Sequence, residues 1–220
     1  SGWIFGAGWP HFSIDSFISV PNGGNYDVTL YIKQKLDGAP SLFNNVPLEI
    51  NFKDANWNEA AKTILVSGQT TTTTVTIPIN PVFAGVDLNE KISDAVTSDK
   101  KVIKATGTSF GTTANGRMQI SVLGLTANDS AFILIEHNWA PPDSFKTPNP
   151  NYKLSPYHYW KVSGMLPSLF DATGTIRYDG TLTTSGGTGY LDHQLLTATN
   201  QEDSIVLMYR KDASDDWSLF

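Results

Sequence analysis

The chain carries four histidines, His11, His137, His158 and His193, and no cysteine. Metal or proton chemistry would therefore rest on imidazole, carboxylate and hydroxyl groups, with disulfides and thiolate sites excluded. None of the histidines is followed by Glu and then by a second His four positions on, the spacing that sets two zinc ligands and a general base on one helix face. Glu136 and His137 adjoin, and neighbours in a strand point to opposite faces, so a structural role for His137 is favoured over a shared metal. Gly107-Thr108-Ser109-Phe110-Gly111 has the spacing of a nucleophile elbow, which needs a sharp strand-to-helix turn behind the serine. The next residues, Thr112-Thr113-Ala114-Asn115-Gly116, make a poor helix start, and a hairpin loop is expected instead. Ser98-Asp99-Lys100-Lys101 matches a serine–lysine spacing without its companion motifs. No catalytic residue and no metal ligand is assigned to this chain.

Two further patterns concern binding. Asp212, Asp215 and Asp216 could offer oxygens to calcium on a short loop, or form a solvated acidic turn beside Arg210 and Lys211. Trp139, Tyr157, Tyr159 and Trp160 cluster around a Pro-rich stretch and are the candidate surface for stacking on a sugar or peptide, the alternative being ordinary core aromatics. Asn128-Asp129-Ser130 is a formal glycosylation sequon, meaningful only in a eukaryotic secretory setting.

The elements that would position these residues read as strands. Charged residues make up 16% of the 220, well below the usual share, and Thr, Ser, Asn and Gly replace them,. These residues favour strands and turns over helix interiors. Tyr26, Val28, Leu30, Ile32 and Leu36 alternate on one face of a strand, as do Val46, Leu48, Ile50 and Phe52, while Phe12 and Ile14 start another,. Lys62 to Ile77 has two apolar ends around Ser67-Gly68-Gln69 and a run of threonines, which predicts a hairpin. Leu88 to Val102 is the one place for a short helix, capped by Asn89, with Ile92, Ala95 and Val96 at helical spacing. Arg117 to Val122 alternates again. Ala131 to Ile135 is a continuous apolar strand, and Pro141, Pro142, Pro148, Pro150 and Pro156 then forbid a regular ladder. Further strands are expected at Tyr159–Val162, 173–178 and 204–209, with a turn at Ser185–Gly189.

The fold class predicted is all-β: two β-sandwich-like modules of antiparallel strands with at most one short helix. They are expected to span residues 1–125 and 126–220, with a junction at Thr126–Asp129. The net charge of −6, 15 basic against 21 acidic residues, and the lack of a basic stripe argue against a nucleic-acid partner,. No apolar stretch is long enough for a membrane span, and no signal peptide is present. Ser1-Gly2 has the form of a scar of tag removal, which leaves export open.

A family resemblance adds to this reading. Trp3, Gly8-Trp9-Pro10 leading into Phe12 and Ile14, Leu30-Tyr31-Ile32-Lys33-Gln34 and Pro47-Leu48-Glu49-Ile50 resemble the segment after the catalytic domain in the aminopeptidase N family of zinc metallopeptidases, the gluzincins. The likeness extends through Pro81-Val82-Phe83-Ala84-Gly85-Val86-Asp87 to about residue 125. Ile135 to Asp143, Leu154 to Gly164, Leu207 to Ala213 and Asp216-Trp217 are similar to the region C-terminal to that sandwich in secreted bacterial members. The zinc helix, the third-ligand Glu and the Gly-x-Met-Glu-Asn peptide-binding loop of active members are missing, as is the long helical C-terminal domain of many of them. The resemblance implies a non-catalytic accessory region, extracellular or at the cell surface, whose partner is an upstream catalytic domain of the same polypeptide. It places zinc, the only cofactor expected, in that domain alone. The alternative is a stand-alone module binding carbohydrate or peptide.

Overall fold

The computed structural model describes residues 7–111, 115–176 and 205–220. Trp3, Thr112 to Ala114, the end of the strand expected at 173–178, the turn Ser185–Gly189, His193 and Ser204 lie outside the described residues. Fourteen strands are described: β1 (Trp9–Asn22), β2 (Asn25–Asp37), β3 (Val46–Asp54), β4 (Glu59–Val66), β5 (Thr70–Ile77), β6 (Pro81–Val86), β7 (Val96–Ile103), β8 (Ser109–Phe110), β9 (Met118–Gly124), β10 (Ala131–Asn138), β11 (Tyr159–Met165), β12 (Asp171–Ile176), β13 (Met208–Tyr209) and β14 (Ser218–Leu219). The all-β class is as the composition predicts. Among the described residues no helix is long and apolar enough to cross a membrane.

The first sandwich packs the sheet β1-β2-β5 on the sheet β4-β3-β6, every pair antiparallel. Its core is made by the alternating residues expected of it: Phe12 and Ile14, then Val28, Leu30 and Ile32, facing Val46, Leu48, Ile50 and Phe52. β1 and β2 are joined through Gly23-Gly24, both in the left-handed region at φ 54° and 89°, as a two-residue hairpin matched to strand twist requires,.

Three expectations are corrected. Lys62 to Ile77 is not a hairpin: β4 pairs with β3 and β5 with β2, so the chain crosses from one sheet to the other at Ser67–Gln69. The crossing lets Ile64 and Val66 enter the core from one sheet and Ile77 from the other. Gln34, buried at the end of β2, holds the crossing by donating to the carbonyls of Phe43 and Gly68 and accepting from the Phe43 amide. Leu88 to Val102 contains no helix. Asp87, not Asn89, organises its start, its carboxylate accepting from the Lys91 and Ile92 amides, and Glu90 at φ 51° leaves the helical region. From Val96 onward a full antiparallel ladder with β10 overrides the local spacing,.

The third correction concerns the module boundary. β7 pairs with β10 and β9 with β12, so strands on both sides of Thr126–Asp129 share sheets. That segment is a turn inside the second sandwich, where β11-β10-β7 packs on β12-β9-β8.

β10 is buried along its whole length. Its alternate side chains Ala131, Ile133 and Ile135 enter the second core, while Phe132 and Leu134 join Phe83 and Leu88 from the first half of the chain. Phe83 and Phe132 meet edge to face with ring centres 5.1 Å apart,. Ile135→Ala is expected to lower unfolding free energy by about 3 kcal/mol in urea titrations, the range for an isoleucine cavity in a packed core. Leu65→Ala, on a side chain 63% exposed, should change it by less than about 0.5 kcal/mol.

Candidate functional site

The chemistry-bearing residues converge at the C-terminal end of β10, in Glu136-His137-Asn138-Trp139. Strand alternation sorts them onto two faces, and β11 repeats the sorting with Tyr159, Trp160 and Lys161 opposite Asn138, His137 and Glu136,.

On the face toward the first sandwich, the Asn138 amide donates to the Glu136 carbonyl at 3.1 Å, which turns its Oδ1 toward His11. His11 Nε2 donates to that oxygen at 2.7 Å, so the neutral ring carries its proton on Nε2,. Burial lowers the His11 pKa to about 4, against the hydrogen bond to Asn138 that favours the proton. The Tyr159 hydroxyl approaches the same nitrogen at 3.4 Å, and burial followed by the negative charge of Glu136 raises its pKa out of the working range. Glu136 is held above the usual carboxylate range by burial, with Lys161 at 3.9 Å opposing. Lys161 also donates to the Ile14 carbonyl of β1 at 3.2 Å.

On the opposite face, His137 Nε2 meets His158 Nδ1 at 2.7 Å. Trp160 stacks on His137 at 4.9 Å between ring centres, and Trp139 meets the same imidazole edge to face at 4.2 Å. Both indole N–H groups are satisfied, Trp139 by the Thr97 hydroxyl and Trp160 by the Gly116 carbonyl. The Arg117 guanidinium lies over Trp139. Ser155, at the end of the Pro-rich stretch, accepts from the Tyr157 and His158 amides and sets the second imidazole in place.

A third cluster lies beyond the strand. Asp143 accepts from Lys33 at 2.8 Å and Arg210 at 2.9 Å and pairs with Lys35 at 3.0 Å. Burial opposes its ionisation, yet hydrogen bonds from Lys33, Arg210 and Lys35 outweigh it and hold the carboxyl well below the usual range,. Lys35 is lowered by burial first, with the charges of Lys33 and Arg210 adding to the effect and Asp143 opposing it.

The candidate aromatics do not form one stacking platform. Trp139 and Trp160 belong to the histidine stack, Tyr159 lies on the other face against His11, and Tyr157 stands in the loop before β11; all four are half-buried. Ser109 is in β8, its hydroxyl 2.9 Å from that of Ser121. In the acidic tail, both Asp216 oxygens accept backbone amides from Lys146 and Thr147, and Asp212 accepts from the Ser214 amide. Among the described residues no group of three or more His, Asp and Glu side chains is placed to hold a metal ion.

The His11–Asn138 bond and the Asp143 cluster are not legible from the sequence pattern. The signal available is the run of polar residues that continues β10 past Ile135, a buried strand whose last residues need partners. No protein-family model, curated protein or solved structure matches the chain.

Asp94 lies close to this site, where Ala95 joins Pro10 to Trp139 through backbone hydrogen bonds. Burial raises its pKa from 3.8 to about 7, against the hydrogen bond from Val96, and the charges of Asp87, Glu136 and Glu90 add to the rise. A carboxyl raised on folding favours the folded state while protonated, and that advantage is lost as pH climbs from about 4 through about 7,. Asp94→Asn should match the parent at pH 4 and become the more stable by about 2 kcal/mol above pH 7, read from urea midpoints across the range. A difference independent of pH would show that Asp94 is not ionised on the way.

Proposed function

We propose that the chain is a non-catalytic supporting module of a larger exported polypeptide, standing beside an upstream zinc aminopeptidase-like catalytic domain outside the cell or at its surface. One observation carries this reading. His11 and Asn138, with Glu136 and Lys161, are engaged with one another across the seam between the two sandwiches, Asp143 gathers lysine and arginine partners in the flanking loop, and His137 and His158 pair on the other face of β10. The bonds across the seam fix how one core sits on the other, since breaking that of His11 or Glu136 would leave a buried polar group unsatisfied,. Two sandwiches held at a set angle suit a spacer or a buttress.

The ordered resemblance to the region after the gluzincin catalytic domain supports the same assignment, and zinc then belongs to the catalytic part of the parent. A second reading, a module that binds peptide or polysaccharide, is favoured by the cations gathered at Asp143 rather than by the tryptophans.

The test is the size of the native protein, by immunoblot of the producing organism with an antibody to this fragment and peptide mass mapping of the band. A band several times larger than 24 kDa, with a zinc-helix peptide upstream, is expected. A 24 kDa band, or leucine p-nitroanilide hydrolysis by the isolated chain with zinc, would overturn the assignment.

A further inference from the structure

A groove of about 1220 Å3 is lined by β1 and β11, with the loop before β11 and residues 205–213 of the C-terminal segment closing other parts of its described lining. Each of the two strands is a sheet edge: among the described strands β1 pairs with β2 alone and β11 with β10 alone. An unpaired edge presents backbone N–H and C=O groups that can accept another strand. The two edges are not equivalent. β1 carries a bulge at Asp15, between Ile14 and Ser16, which breaks its register, and bulges blunt an edge against pairing. β11 keeps one register from Tyr159 to Met165. The apolar side chains Val82 and Val162, both exposed, line the space between them.

Charge separates this groove from the rest of the molecule. Its described lining holds six basic residues, Lys33, Lys35, Lys153, Lys161, Arg210 and Lys211, against three acidic ones, Asp15, Asp143 and Asp212. The whole chain has 15 basic and 21 acidic residues, so the lining reverses the sign of the whole. Three of the six cations converge on the single carboxylate of Asp143, and the side chains of Lys35 and Arg210 are only 16% and 14% exposed. Cations withdrawn from water in excess of their counter-charge draw a further anion more strongly than the same charges on an open surface.

We infer that the groove receives an extended acidic segment of another polypeptide, which adds as a strand to the edge of β11 that has no partner among the described strands and sets a carboxylate among Lys33, Lys35 and Arg210. The regular edge argues for a peptide over a compact anion or an acidic sugar chain, because only a peptide backbone can complete the ladder.

The test uses the full chain and a fluorescein-labelled ten-residue peptide of alternating Val and Glu, followed by fluorescence anisotropy. Saturable binding is expected, with the corresponding Val–Lys peptide at least about tenfold weaker and affinity falling as salt rises. N-methylation of alternate peptide amides keeps the charge and removes the ladder donors, and should weaken binding about tenfold or more. Lys33→Ala, at a half-exposed position, should weaken the Glu peptide and leave the Lys peptide unchanged. No binding, equal binding of the Lys or N-methylated peptide, or tighter binding of an oligogalacturonate of the same charge would overturn the inference. The last result would assign the groove to acidic polysaccharide.

Discussion

The structure depends on a strand that is buried on both faces. β10 is the middle strand of its sheet, flanked by β7 and β11, and it serves two cores at once, with Ile133 and Ile135 in one and Phe132 and Leu134 in the other. Because the side-chain period of a strand is two, a slip of one residue would exchange these sets and move Glu136 and Asn138 into the second apolar core. Register errors are therefore penalised on both faces together. A strand facing solvent on one side would be far more tolerant.

A strand with that role needs its polar end satisfied, and the way it is satisfied defines the seam. Past Ile135 the chain stays buried but turns polar, so each side chain must find a partner inside the protein,. Asn138 takes His11 from β1, Glu136 takes Lys161, and His137 takes His158, with the tryptophans closing over the imidazoles. The apolar half of β10 supplies most of the burial energy and little direction, since hydrophobic contact is non-directional. Hydrogen bonds at the polar half carry the direction.

Local pattern makes the strands legible but not their partners. The alternation of β2 and β3 and the apolar run of β10 are plain because burial leaves a period in the residue types. Nothing in Lys62 to Ile77 distinguishes a hairpin from a crossing between sheets, since both put apolar residues at the ends of a polar turn; the difference lies in Gln34, some thirty residues earlier. The module boundary is hidden for the same reason. The polar residues at 126–129 do form a turn, but whether a turn ends a module depends on ladders formed at long range, and β7 and β9 precede it while their partners lie beyond it. The aromatics around the Pro-rich stretch stand out as a cluster, yet the alternation of β11 that splits Tyr159 from Trp160 becomes visible only once its pairing with β10 is known.

The Pro-rich stretch shows what replaces a ladder when the backbone cannot form one. Prolines remove donors at intervals from Pro141 to Pro156, so this segment is anchored by other means,. Lys35 donates to the Pro141 carbonyl, Trp217 donates to that of Asp143, and Asp216 collects the amides of Lys146 and Thr147. Asp143 joins β2 to the C-terminal residues through Lys33, Lys35 and Arg210. The C-terminal segment is thus tied to the first sandwich largely through charge, across a loop that has no strand of its own. Ion pairs of this partly exposed kind are weakened by salt while buried apolar contacts are not. The two halves of the architecture consequently answer to different conditions: β10 and its cores to temperature and cavity formation, and the Asp143 junction to ionic strength and to protonation of a single carboxylate.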